Sequence, residues 1–183
     1  MPLALEHEEC VAVLDAVRSP EYRAVLAVMY GCGLRIGEAV KVRVADVEKK
    51  RMVLHVVGKG NKERLAPLPA SLYLDLRRMW AGRRHPEWLF GNQCGTNHVG
   101  ACAVSQAFRQ ARAATGMGEK VTPHCLRHSF ATRLMEEGVP IETVRILLGH
   151  SSIKTTQAYL HLTEATRKKI CDTVGTFTIA LFD

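Results

Sequence analysis

Apolar residues recur along this chain in two rhythms. From Glu6 to Arg18, Val11, Val13, Leu14 and Val17 fall at helical spacing and predict an amphipathic helix closed by Ser19 and Pro20. Glu21 to Tyr30 carries Ala24, Val25, Leu26, Val28 and Met29 and is apolar nearly all round, so a second helix is expected to run through the core and stop at Gly31-Cys32-Gly33. The rhythm then shortens. Met52 to Val57 reads as a strand, Gly58 to Glu63 as a turn and Arg64 to Leu68 as a returning strand, and a shorter strand around Asp46 to Glu48 would complete a small antiparallel sheet. Helical spacing resumes over Ser71 to Trp80 and over Val99 to Ala114, where Val104, Phe108 and Ala111 face inward and Arg109 and Arg112 outward.

The stretch from Thr122 to Leu162 is the densest in chemistry-bearing residues. Thr122 suits an N-cap and Pro123 the first helical position, and Leu126, Phe130, Leu134 and Met135 recur at helical spacing up to Gly138. His124 and Arg127, three apart, share a face of that helix and can address one anion. Val139 to Leu148 predicts a short helix ending at Gly149, with Val144, Leu147 and Leu148 buried and His150 just beyond its end. A third helical stretch, Ile153 to Leu162, carries Tyr159, which reads as a packed residue or as a nucleophile. A last helix over Thr163 to Val174, with Arg167, Lys168 and Lys169, leads to an apolar tail, Phe177 to Phe182, that folds back on its own core or docks on a neighbour.

Length and charge narrow the picture. A chain of 183 residues, 47% hydrophobic, can bury a full core as one domain. Its net charge of +7 and pI near 9.3 favour a polyanionic partner. Cys10, Cys32, Cys94, Cys102, Cys125 and Cys171 form no CxxC pair and read as buried, reduced thiols. No apolar run is long enough to span a bilayer, so the expectation is a soluble, cytoplasmic protein with no membrane partner. Arg35, between apolar neighbours after the glycine break, is either a surface residue at a helix start or one held in a cleft for an anion. Lys59, Lys62 and Arg64 lie near the hairpin tip, where a solvated loop explains them as well as a site does.

Four segments together carry a family resemblance: GLRIGEAV at 33 to 40, VVGKGNKERLAPLP at 56 to 69, TPHCLRHSFATRLMEEG at 122 to 138 and LLGHSSIKTTQAYLHL at 147 to 162. They resemble, in order and interval, the catalytic domain of the tyrosine recombinases, the family of phage and integron integrases and of bacterial Xer-type recombinases. The resemblance implies a mainly helical fold with a small antiparallel sheet, an α+β arrangement. It makes Arg35 and Arg127 the catalytic arginines, Lys59 the hairpin lysine, His124 the partner of Arg127, His150 the histidine after the LLG turn and Tyr159 the nucleophile. Glu38 is expected to brace the Arg35 segment, and Lys62 and Arg64 to contact DNA.

The chemistry explains the residue types. Attack on a phosphodiester builds negative charge on two non-bridging oxygens, which guanidinium forks can clamp. A tyrosine is ionised to only roughly one part in a thousand at neutral pH, so it needs a proton acceptor and a positive field. His124 fits the first need and the arginines the second. Lys59 would protonate the leaving 5′-oxygen, and His150 would support the transition state. The scheme implies a covalent 3′-phosphotyrosyl intermediate and calls for no metal or cofactor. His124 and His128 at i, i+4 suggest two thirds of a zinc site, but the HExxH glutamate is replaced by Cys125 and no third ligand is evident.

Family resemblance also implies double-stranded DNA as partner and assembly as a tetramer on DNA, with the Phe177 to Phe182 tail as the contact between copies. Relatives usually carry a further N-terminal helical domain, and here Met1 lies just ahead of the first catalytic-domain helix, so the expectation is a catalytic domain over 1–183 without that clamp. Two other readings remain open from sequence: a DNA-binding remnant without chemistry, and a strand-passing enzyme like the type IB topoisomerases.

Overall fold

The computed structural model describes residues 3–58, 63–149 and 164–175. Helix α1 spans His7–Asp15, and the Glu9 carboxylate reaches back to the Glu6 amide at 2.9 Å to close its first turn. Helix α2, Pro20–Cys32, begins on Ser19, whose hydroxyl accepts the Tyr22 N–H at 3.3 Å, and is buried without interruption from Ala24 to Cys32. That continuous burial follows from its all-round apolar sequence. After it come α3 (Ile36–Ala39), a 3-10 turn (Val44–Asp46), three strands, α4 (Ala70–Arg83), α5 (Ala101–Ala114), α6 (Pro123–Glu136), α7 (Ile141–Leu148) and α8 (Glu164–Gly175). Helix α2 is the axis of the fold, packed by α1, α3, α4, α5, α6 and α8.

Strands β1 (Val47–Glu48), β2 (Val53–Val57) and β3 (Glu63–Pro67) form one antiparallel sheet in that order. The register pairs Val53 with Pro67, Val56 with Arg64 and Val57 with Glu63, which leaves residues 58–62 as the connection. Lys59 and Lys62 lie in the part of it outside the described residues. Although β3 is an edge strand by pairing, every residue from Arg64 to Pro67 is buried, because α7 and α8 lie against it. Arg64 is therefore buried and not exposed near the hairpin tip. Its side chain points under the helices.

Other expectations on the described residues shift by a turn or less, with two corrections of substance, while the helix expected over Ile153 to Leu162 and the tail Phe177 to Phe182 lie outside the described residues. Cys94 and Cys102 are exposed, since one lies in the loop before α5 and the other on its first turn; Cys10, Cys32 and Cys125 are buried thiols as expected. Arg112 is not simply outward: its Nη1 donates to the carbonyls of Glu119 (2.8 Å) and Val121 (3.3 Å), closing the chain that leads into α6.

Helix α2 can end where it does because Gly33 adopts φ +67°. A methyl group there would stand 2.6 Å from the Phe130 ring on α6. Gly33→Ala is expected to destabilise the protein by more than about 2 kcal/mol in chemical denaturation, from left-handed strain plus overpacking. Gly37→Ala, with nothing within 4 Å of the new methyl group, is expected to stay within about 0.5 kcal/mol of the parent.

Candidate active site

Three chain segments meet at the carboxylate of Glu38: the start of α3, strand β3 and helix α6. Its Oε2 accepts the backbone N–H of Arg35 at 2.9 Å and Nη2 of Arg64 at 2.7 Å, and its Oε1 accepts Nη1 of Arg35 at 3.0 Å. Arg127 Nη1 stands 3.6 Å from Oε2. A short helix with glutamate at its third position is suited to the backbone bond, since the carboxylate can reach back to the free amide at the helix start. Glu38 thus fixes the start of α3 and, through it, Arg35.

Arg127 is placed by the two helices whose ends it caps. Nη1 donates to the carbonyl of Gly33, at the end of α2, at 2.6 Å, and Nη2 donates to the carbonyl of Leu148, at the end of α7, at 2.7 Å. Helix C-termini present unpaired carbonyls and partial negative charge, so a guanidinium is well matched there. One side chain on α6 thereby registers the chain leading to Arg35 and the chain leading to His150.

Burial grades the three arginines. Arg64 is 4% and Arg127 5% exposed, whereas the Arg35 side chain is 42% exposed and opens to solvent. Burial first, and then the charges of Arg35 and Arg64, pull the Arg127 guanidinium down to about 9, still protonated at neutral pH. Burial likewise lowers Arg64, with Glu38 opposing. Three guanidinium groups around one carboxylate leave the cluster strongly cationic, a seat short of an anion.

His124 sits on the first turn of α6 with its imidazole partly covered. Partial burial, then Arg127 and Arg35, hold it below its ordinary 6.5, so at neutral pH it is uncharged and able to take a proton. Of the sequence-derived set, the structure brings together Arg35, Glu38, Arg64, His124 and Arg127. Lys59, Lys62, His150 and Tyr159 lie outside the described residues. Among the described residues no three His, Cys, Asp or Glu side chains gather as a metal site would require.

Sequence reasoning missed the inward turn of Arg64 and the carbonyl anchors of Arg127. A signal for Arg64 was present: it opens the otherwise apolar run Leu65-Ala66-Pro67, where a lone charged residue implies a buried partner.

A mainly helical fold with a three-stranded sheet at one side is that of tyrosine recombinase catalytic domains. The crystal structure of XerA recombinase superposes with a TM-score of 0.73 at 27% identity, covering 93% of this chain and 64% of that one. XerH recombinase bound to its difH substrate in a pre-cleavage complex gives 0.72 at 26% identity, over 92% of this chain and 53% of that one. The chain belongs to the phage integrase family, whose model matches residues 4–166. It is 36% identical over 177 residues to tyrosine recombinase XerD of Pseudomonas putida KT2440, covering 90% of this chain and 59% of that protein. The chain spans about three fifths of the length of the curated relatives it matches.

In the DNA-free protein, the NMR titration of His124 is expected to have its midpoint below 6.5. Arg35→Gln, which removes one neighbouring charge and leaves the burial, is expected to raise that midpoint without restoring the ordinary value. A midpoint above 6.5 in the parent would contradict the electrostatics described here.

Proposed function

We propose that this chain is the catalytic domain of a site-specific recombinase that cleaves and rejoins double-stranded DNA through a covalent 3′-phosphotyrosyl intermediate. The observation that carries the proposal is the cationic cluster on Glu38: three guanidinium groups, one carboxylate and an uncharged imidazole at the junction of three segments. A phosphodiester supplies the anion such a seat lacks. Family membership points the same way, and the XerH recombinase structure is bound to its difH substrate.

In this reading Tyr159 Oη attacks phosphorus, forming a P–O bond to tyrosine and breaking the bond to the 5′-oxygen. His124, uncharged before the step, takes the phenolic proton. Arg35 from the open side and Arg127 from beneath stabilise the charge that builds on the non-bridging oxygens. Lys59 gives a proton to the departing 5′-oxygen, and His150 adds a hydrogen bond to the transition state. Lys62, three positions after Lys59 in the sequence, contacts the DNA backbone. Because the phosphotyrosyl bond keeps the energy of the phosphodiester, a 5′-hydroxyl of another strand can reverse the step, which makes exchange a chemistry without metal or nucleotide. The work is done on DNA, hence in the cytoplasm.

The direct test is a nicked suicide duplex carrying a recognition site selected from a random-sequence pool by binding. The parent is expected to form a covalent adduct that survives denaturing electrophoresis. Tyr159→Phe is expected to form none, and Arg35→Ala to slow adduct formation by about 10²- to 10³-fold, the loss typical of one transition-state donor. Binding by the parent with no adduct would instead indicate a DNA-binding module.

Assembly as a tetramer on paired sites, through the apolar tail Phe177 to Phe182, completes the proposal. Deleting residues 176–183 is expected to leave binding of a single site intact and to abolish the higher-order complex in native gels. Unchanged assembly would remove the tail from the account.

A further inference from the structure

Arg64 lies outside the set of residues the family resemblance marks as catalytic, and its surroundings are unusual for a structural residue. It is fully covered, on a strand whose other buried members are Leu65, Ala66 and Pro67. Nη2 is committed to Glu38 Oε2 at 2.7 Å. Nη1 is buried with no hydrogen-bond partner among the described residues. A packing role alone would favour an apolar side chain here, because a buried guanidinium beside Arg35 and Arg127 is held against both desolvation and like charge.

Its stem makes a second contact. Gly149 takes φ +68° to end α7, and a methyl group added there would stand 2.7 Å from Cδ and 2.9 Å from Nε of Arg64. The glycine is therefore required twice over, for its backbone and for the side chain lying on it. Arg64 itself leaves the hairpin on β3, opposite Val56 and five positions after Lys59. One residue thus touches Glu38, which fixes Arg35, and the Gly149 turn that precedes His150 in the sequence, while lying on the strand that follows Lys59.

We propose that Arg64 is a positioning residue for strand cleavage, a pin that sets the hairpin, the Arg35 helix and the turn after α7 in one register without touching DNA. The proposal rests on the recombinase reading for the reaction it affects; the register itself is a property of the DNA-free protein. Arg64 departs here from the expectation of a phosphate contact, and the two roles differ in what they change. A phosphate contact contributes to binding and its salt dependence. A pin contributes to the rate once DNA is bound.

The test compares Arg64→Met, which keeps a stem of similar size, and Arg64→Lys, which keeps one charged donor for Glu38, in the full chain and per folded molecule. For Arg64→Lys, which keeps the charge of the cluster, the Kd for duplex DNA and the slope of its salt dependence are expected to match the parent, and in Arg64→Met the slope is expected to match because no phosphate contact is lost. The single-turnover rate of adduct formation on the suicide duplex is expected to fall about 10²-fold in Arg64→Met, the scale of a small misplacement of reacting groups. Arg64→Lys is expected to recover part of that loss. In the double variant Arg64→Met, Glu38→Gln, the rate is expected to match the slower single variant, because the two residues act through one contact.

Independently of activity, hydrogen exchange at the Arg35 amide, which Glu38 protects, is expected to quicken in Arg64→Met relative to amides elsewhere in the fold. A weaker Kd with a salt slope reduced by about one would overturn the proposal in favour of a phosphate contact. Equal rates in Met and Lys variants, or unchanged exchange at Arg35, would overturn it in favour of packing. A parent protein that forms no adduct would fail the recombinase reading, while the exchange comparison still decides whether the pin exists.

Discussion

The site depends on one carboxylate. Among the described residues Glu38 is the one acid paired with these arginines in the cluster, and two of the arginines around it are buried. Without it, those charges would stand uncompensated in a largely dry environment, a change that typically costs about 3–5 kcal/mol when one partner of a buried pair is lost. With it, the cluster is held together while remaining cationic. That balance is what an anion seat needs: enough compensation to fold, and enough residual charge to attract phosphate.

The main chain shares the load. Arg127 spends two donors on the carbonyls that end α2 and α7. Both helices end in left-handed glycines, Gly33 and Gly149, and each glycine lies where a side chain would collide, with Phe130 in one case and Arg64 in the other. The turns that end α2 and α7 are therefore fixed by the same guanidinium groups that crowd around Glu38. Stability and chemistry draw here on the same contacts, so a substitution in the cluster is expected to report on both, and rates have to be read per folded molecule.

Much of this was legible in the residues. Helix α2 announced its burial by being apolar on every side, the hairpin by two short apolar runs around its Gly58-Lys59-Gly60 turn, and α6 by Thr122-Pro123 followed by helical spacing. The pairing of His124 with Arg127 follows from a spacing of three. What spacing cannot carry is which long-range partners a side chain meets. Arg64 reads as a tip residue because its sequence neighbours are polar on one side; its burial is imposed by α7 and α8, which are remote in sequence. The capping of two helix ends by Arg127 is a contact across 94 and 21 residues, invisible to any local pattern. Cys94 and Cys102 were misplaced for the opposite reason: thiols are most often buried, and that tendency says nothing about a particular loop.

The proposed function requires a phosphate seated on the Glu38 cluster. The most direct measurement is a crystal structure of the Tyr159→Phe protein on an uncleaved duplex bearing its selected site. The account predicts the non-bridging oxygens of the scissile phosphate within hydrogen-bond distance of Arg35 and Arg127, His124 facing residue 159, and Arg64 still on Glu38 and away from DNA. A duplex seated on another face, with the Glu38 cluster empty of phosphate, would contradict it.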